Sequence, residues 1–162
     1  MKDEIKIPDK RKGVLIGHEG SVKKKIEDLT RTSLKIGEGI EISGEALDVI
    51  KAKEIIRAIG RGFTPEESLK LLDEEYSLSV IELNEKTENS RRRIFSRIIG
   101  RGGSTRRIIE QSTGTSISVD GKTISIIGKW NMVEKAHKAV ELLISGSKHA
   151  YVYKLLKELK GE

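Results

Sequence analysis

Two stretches of the 162-residue chain carry the same rhythm of apolar and polar positions. In the first, Ile5-Lys6-Ile7 alternates as a short strand does, and Gly13-Val14-Leu15-Ile16 forms a brief apolar turn or helix. Val22, Ile26 and Leu29 then recur at i, i+4 and i+7, one face of a helix, with Lys23, Lys24 and Lys25 around the remainder. Ser33 to Ile36 and Gly39 to Ile42 read as two strands about a glycine-flanked turn, and Ala46 to Ile59 as an amphipathic helix stopped by Gly60. In the second stretch, Leu78, Val80 and Ile81 suit a strand. Arg91 to Ile99 suits a helix carrying Ile94, Phe95, Ile98 and Ile99, and Ser104 to Ser112 a second helix. Ser116 to Val119 and Thr123 to Ile127 are strands joined at Asp120-Gly121, and Trp130 to Ile144 closes the stretch as a helix. Each stretch reads strand, helix, helix, strand, strand, helix, which predicts an α+β fold.

The likeness extends to residue identity. Displacing the chain by 83 positions, the offset from Gly17 to Gly100, lays Ile16-Gly17-His18-Glu19-Gly20-Ser21 on Ile99-Gly100-Arg101-Gly102-Gly103-Ser104. Ile26-Glu27 falls on Ile109-Glu110, Thr30 on Thr113, and Thr32-Ser33-Leu34 on Thr115-Ser116-Ile117; after one inserted residue Gly44 falls on Gly128. Solenoid repeats run to ~20–50 residues, so a longer period marks duplicated domains. The expected division is a first module at 1–62, a linker at 63–75 and a second module at 76–162. Thr64-Pro65-Glu66-Glu67 has the capping-box pattern with proline at the first helical position, which places a short helix from Thr64 to Leu72 in the linker. Val152, Leu155, Leu156 and Leu159 make one apolar stripe on an appended C-terminal helix.

The chemistry is concentrated at the two Gly-x-x-Gly loops. A loop that brings its backbone close to a phosphate needs residues without side-chain bulk, and a helix opening directly behind it offers unpaired N–H groups and a partial positive charge. Gly100, Arg101, Gly102 and Gly103 fit that requirement, with Arg106 and Arg107 on the helix that follows. Gly17, His18 and Gly20 form the first-module counterpart, with Lys23 and Lys24 at the positions of Arg106 and Arg107. Glu19 sets the first loop apart, because a carboxylate near a phosphate path repels it by about 1 kcal/mol at 4 Å in water. Neither loop has the Gly-x-x-x-x-Gly-Lys run of a nucleotide-hydrolysing P-loop, and Thr105 stands where a dinucleotide fingerprint needs its third glycine.

Charge and composition permit this reading without deciding it. Lys and Arg number 31 against 25 Asp and Glu, a net charge of +6 that suits a polyanionic partner. There is no cysteine, and His18, His137 and His149 are spaced too widely for a metal site, so no metal, cofactor or catalytic residue is expected. No stretch approaches the ~20 apolar residues that span a bilayer and the N-terminus lacks a signal-peptide core, so a soluble, cytoplasmic monomer is expected. Trp130 is expected as a core or edge anchor. Arg91-Arg92-Arg93 is either a solvated helix face or an extension of the phosphate-contacting surface.

The run Arg97-Ile98-Ile99-Gly100-Arg101-Gly102-Gly103-Ser104-Thr105-Arg106-Arg107-Ile108-Ile109-Glu110, with Thr113-Gly114-Thr115, Gly121-Lys122-Thr123, Ile126-Ile127-Gly128 and the closing Ile144-Ser145-Gly146-Ser147-Lys148-His149, resembles the archaeal two-KH proteins of the Dim-two, or partner-of-Nob-one, family. The resemblance implies two tandem type I KH domains, each a three-stranded antiparallel sheet with helices on one face. It also implies binding of single-stranded RNA near the 3′ end of 16S ribosomal RNA and a role in small-subunit maturation. The partners it suggests are the alpha subunit of translation initiation factor two and the Nob-type endonuclease. On the KH pattern about four unpaired nucleotides lie along the loop, with Ile99 and Ile109 flooring the groove and Ile117 to Val119 supplying the strand edge. The alternative is a protein-interaction adaptor in which the KH folds are mostly scaffold.

Overall fold

The computed structural model describes residues 1–160, with side chains to 158; Leu159 of the expected terminal stripe therefore lies outside the described side chains. The chain divides into two compact units, Met1–Tyr76 and Ser77–Glu162. The first contains β1 (Lys2–Ile5), α1 (Asp9–Ile16), α2 (Ser21–Thr30), β2 (Ser33–Ile36), β3 (Ile40–Ser43), α3 (Ala46–Gly60) and α4 (Pro65–Leu69). The second contains β5 (Ser116–Asp120) and β6 (Thr123–Lys129) with α5 (Glu88–Ile99), α6 (Ser104–Thr113), α7 (Trp130–Ile144) and α8 (His149–Lys160). Its first strand, β4 (Tyr76–Glu82), starts at the boundary.

Each unit has an antiparallel three-stranded sheet whose last strand lies in the middle, in the orders β1-β3-β2 and β4-β6-β5. Alternation sets the inward face: Ile40 and Ile42 are buried while Glu41 and Ser43 are not, and Leu34 sits opposite Ile42 on β2. In the second unit Ile117 faces Ile126 across the β5–β6 pair, and both join Ile98, Ile109, Val140 and Leu143 in one core. Burying side chains of this size contributes ~1.5–3 kcal/mol each.

The residues that match across the repeat make the same joint twice. Thr30 Oγ1 donates to the Ile26 carbonyl at 2.6 Å and lies 2.7 Å from Thr32 Oγ1; Thr113 bonds Ile109 at 2.7 Å and lies 2.8 Å from Thr115. Glu27 Oε2 accepts from the Leu34 amide at 2.8 Å, and Glu110 Oε2 from the Ile117 amide at 2.9 Å. A Cβ on Gly44 would stand 3.1 Å from the Thr32 methyl, and one on Gly128 only 2.6 Å from the Thr115 methyl. The end of the second helix, the strand after it and the close of the central strand are thereby locked together.

A second tie joins the helix that follows the sheet in each unit to the first strand. Lys53 on α3 meets Asp3 on β1 at 2.9 Å, and that bond, with the Glu4 amide, holds the Asp3 carboxyl below its ordinary range. In the second unit a different pair joins the corresponding elements: Ser79 Oγ on β4 lies 3.0 Å from His137 Nδ1 on α7, whose Nε2 is 2.8 Å from Glu141.

Several expectations shift. The first strand is Lys2–Ile5 and ends before Ile7, which leaves the sheet ahead of Pro8 and fills the space over Gly60, where a Cβ would come within 2.6 Å of its methyl. Residues 63–75, expected as a linker, pack into the first unit. Phe63, Ser68 and Leu71 are buried, and Arg11 donates from Nε to the Ile59 carbonyl and from Nη2 to the Phe63 carbonyl, each at 2.7 Å. The Thr64 capping box forms, but α4 stops at Leu69 and one 3-10 turn continues to Leu72. Trp130 is 59% exposed and is not a core anchor, because Val133, three residues further along α7, takes the inward position. No helix among the described residues is long and apolar enough to cross a membrane.

Replacing Thr113 by Val should destabilise the protein by about 1–3 kcal/mol, because it strands the buried Thr115 hydroxyl. Changing both threonines to Val should recover part of that loss. Thermal melts of the three variants check the order.

Candidate nucleic-acid interface

The second loop is a helix-to-helix reversal in four residues. α5 ends at Ile99, and Gly100 takes φ +74°, its amide still reaching the Ser96 carbonyl at 2.9 Å. One 3-10 turn, Arg101–Gly103, follows with Gly102 at φ +61° and Gly103 at φ +79°, and α6 opens at Ser104. Gly100 is required by contact as well as angle, since a Cβ there would stand 2.2 Å from Thr105 Oγ1. Gly102 is open, with nothing within 4 Å of where its Cβ would be. The start of α6 thus faces outward behind a loop without bulk, the arrangement that receives an anion.

The arginines divide the work. Arg101 is exposed, with no protein partner among the described residues. Arg107 Nη2 donates to the Gly102 carbonyl at 3.2 Å and braces the loop from behind, while Arg106 Nε lies 3.8 Å from Glu110 Oε1. Ile99 is half-buried beside the loop. Ile109 and Ile117, expected as groove floor and strand edge, are 0% and 4% exposed and belong to the core. Ile109 shares a buried face of α6 with Thr105 and Thr113 at i−4 and i+4, and Ile117 on β5 is buried opposite Ile126; the half-exposed neighbours are Ile108 and Val119.

Beside Ile99, a recess of about 470 Å³ is lined by Glu88, Arg91, Arg92, Phe95, Ser96, Ile99, Gly121 and Lys122. Arg91 and Arg92 therefore face this recess, and Arg93 is not among its lining residues. Arg91 Nη1 donates to the Lys86 carbonyl, and Arg92 lies 3.6 Å from Glu88. Phe95 and Lys122 were not singled out from the sequence. The signal was available in Arg91, Phe95 and Ile99 at i, i+4 and i+8, one stripe of α5 ending at the loop.

The first loop copies the backbone and changes the chemistry. Gly17, Glu19 and Gly20 have φ +75°, +52° and +78°, each within 10° of its counterpart. Val22 fills the space behind Gly17 that Thr105 fills behind Gly100. Glu19 therefore holds a left-handed conformation that costs an L residue roughly 1–2 kcal/mol. It places an exposed carboxylate at the loop tip, 3.8 Å from His18 Nε2. Lys23 is half-buried and Lys24 exposed on α2.

Family models match both units: the one described as Eukaryotic type KH-domain (KH-domain type I) covers residues 77–161, and the KH domain model covers residues 2–58. A KH domain-containing protein of Methanocaldococcus jannaschii is 45% identical over 94% of this chain and 71% of its own length. The crystal structure of Dim2p from Pyrococcus horikoshii superposes with a TM-score of 0.91 at 42% identity, covering 98% of this chain and 99% of that one. The chain belongs to the Dim2p/PNO1 family of KH proteins. The RNA-binding protein pno-1 of Caenorhabditis elegans is 30% identical over 71% of this chain and 43% of its own length. A P. horikoshii complex of a/eIF2alpha, aDim2p and rRNA contains a chain with a TM-score of 0.92 at 41% identity, covering 99% of this chain and 94% of that one.

In this Dim2p/PNO1-family chain, then, both KH folds are complete and the two glycine loops differ in charge rather than in shape. Glu19→Gly should remove the left-handed strain and raise stability by about 1 kcal/mol. A rise in the protein's melting temperature checks it; a fall would show that the strain at Glu19 is smaller than the conformational freedom glycine loses on folding.

Proposed function

We propose that the chain binds single-stranded RNA through its second KH module and acts in small-ribosomal-subunit maturation, near the 3′ end of 16S ribosomal RNA. The observation that carries this reading is the exposed Arg101, without a protein partner among the described residues, beside the open, left-handed Gly102 at the head of α6, where the first module presents His18 and Glu19. The loop would hold the phosphates, with Arg106 nearby and Arg107 keeping the loop in shape. The recess beside Ile99 would receive a base against Phe95, with Arg91, Arg92 and Lys122 at its rim. The work is binding without catalysis. The rRNA in the complex of the related Pyrococcus protein supports the class of ligand, and its a/eIF2alpha supports an initiation-factor subunit as partner.

One observation favours an adaptor role for the first module. Its loop keeps the KH backbone at the expense of a strained, negatively charged residue that weakens phosphate binding. That module is the better candidate for protein contacts, with the initiation factor subunit or a Nob-type endonuclease.

Changing Arg101 and Arg106 to Glu should weaken binding of a short single-stranded RNA from the 16S 3′ region by about ten-fold or more and flatten its salt dependence. Changing Lys23 and Lys24 to Glu should cost clearly less. Filter-binding titrations at fixed salt check this, and equal losses would remove the preference for the second module.

A further inference from the structure

We infer that the C-terminal helix α8 is a working part of the RNA clamp, a brace that fixes the second glycine loop from both sides, with Arg97 and Tyr153 as positioning residues. The inference rests on the reading that this loop grips RNA.

The upstream flank is held by Arg97, in the last turn of α5 and three residues before Gly100. Its Nε donates to the Leu143 carbonyl at 3.1 Å and its Nη2 to the Ser147 carbonyl, so one guanidinium spans the end of α7 and the turn into α8. The Arg97 carbonyl in turn accepts from His149 Nε2 at 2.9 Å, which places the ring proton on that nitrogen. The downstream flank is held by Thr105, the second residue of α6, which is 2% exposed. Its hydroxyl lies 2.9 Å from the Tyr153 hydroxyl, and the same oxygen occupies the space a Cβ of Gly100 would need. Tyr153, Thr105 and Gly100 are therefore stacked in series. Val152 and Leu156, 0% and 2% exposed, seat the helix that carries the tyrosine, and α8 packs on both α6 and α7.

The first module provides an internal comparison. Its α2 packs with α1 and α3, the residue behind Gly17 is Val22 with no hydroxyl to pair, and Leu29 on the outer side of α2 remains 49% exposed. The upstream tie has a counterpart in the first module, where Arg11 donates to the Ile59 and Phe63 carbonyls. The downstream hydroxyl pair on α8 accompanies only the loop with three left-handed glycines and an exposed arginine, and among the described residues none stands beside the loop with Glu19. Glycines lose the most conformational freedom on ordering, so a glycine-rich clamp gains most from being held in its binding shape beforehand.

The test uses the full chain with Tyr153→Phe, Thr105→Val, the double variant, Thr105→Ser and, as a control on the underlying reading, Arg101→Glu. Two quantities are read: the Kd for a short single-stranded RNA, and amide hydrogen exchange at residues 100–104 without RNA. Tyr153→Phe and Thr105→Val should each weaken binding about five-fold, the factor for one lost hydrogen bond. The double variant should lose little more than either single one. Thr105→Ser should stay near wild type, and exchange at the loop should quicken wherever the hydroxyl pair is lost. If Arg101→Glu weakens binding while both hydroxyl variants bind as wild type, α8 is ordinary packing and the inference is overturned. If Arg101→Glu has no effect, the RNA assignment fails instead, and the exchange rates decide the brace alone: quickened exchange supports it and unchanged exchange overturns it.

Discussion

Each module depends on a reversal that the chain must complete in four residues between its two paired helices. The reversal closes because the first of the four has no side chain. At Gly17 the side chain of Val22 occupies the space, and at Gly100 that of Thr105 does, closer than any Cβ could tolerate. This contact brings the helices together over the sheet and lets Ile98 and Ile109 share a core. It also sets the exposed loop residues directly at the head of the second helix. Fold and binding head therefore have one cause, and a side chain at Gly100 would damage both.

Duplication then separated the modules by charge at constant geometry. The two loops match in backbone angle, yet the interior of one is Arg101-Gly102 and of the other His18-Glu19. The ties between the helix after the sheet and the first strand also differ, an ion pair at Asp3–Lys53 and a hydroxyl–imidazole hydrogen bond at Ser79–His137. The net charge of +6 says little about where an anion binds; two loop positions decide more.

Much of this was legible because the repeat preserves residues that make identical bonds. Thr30, Thr32, Glu27 and Gly44 match Thr113, Thr115, Glu110 and Gly128 for the physical reason that each set forms one joint, and the inserted residue before Gly128 does not disturb it. Periodicity failed where one apolar residue could serve two purposes. Ile7 alternates with Ile5 but fills the space over Gly60, and Ile109 and Ile117 suit a groove as well as a core until the faces of α6 and β5 are known. The bonds from Arg97 to Ser147 and from Thr105 to Tyr153 join residues about fifty apart in sequence, and no local pattern announces them.

The Thr–Glu joint has a consequence for the order in which each module assembles. Its bonds span two to seven residues, from Thr113 to Thr115 and from Glu110 to Ile117, so closing them takes little chain entropy. The β1–β3 pairing instead joins Lys2 to Ser43, across most of a module. Short-range contacts are reached first when a chain collapses. Chain entropy therefore favours closing the segment from the glycine loop through the following strand ahead of pairing the module's first strand.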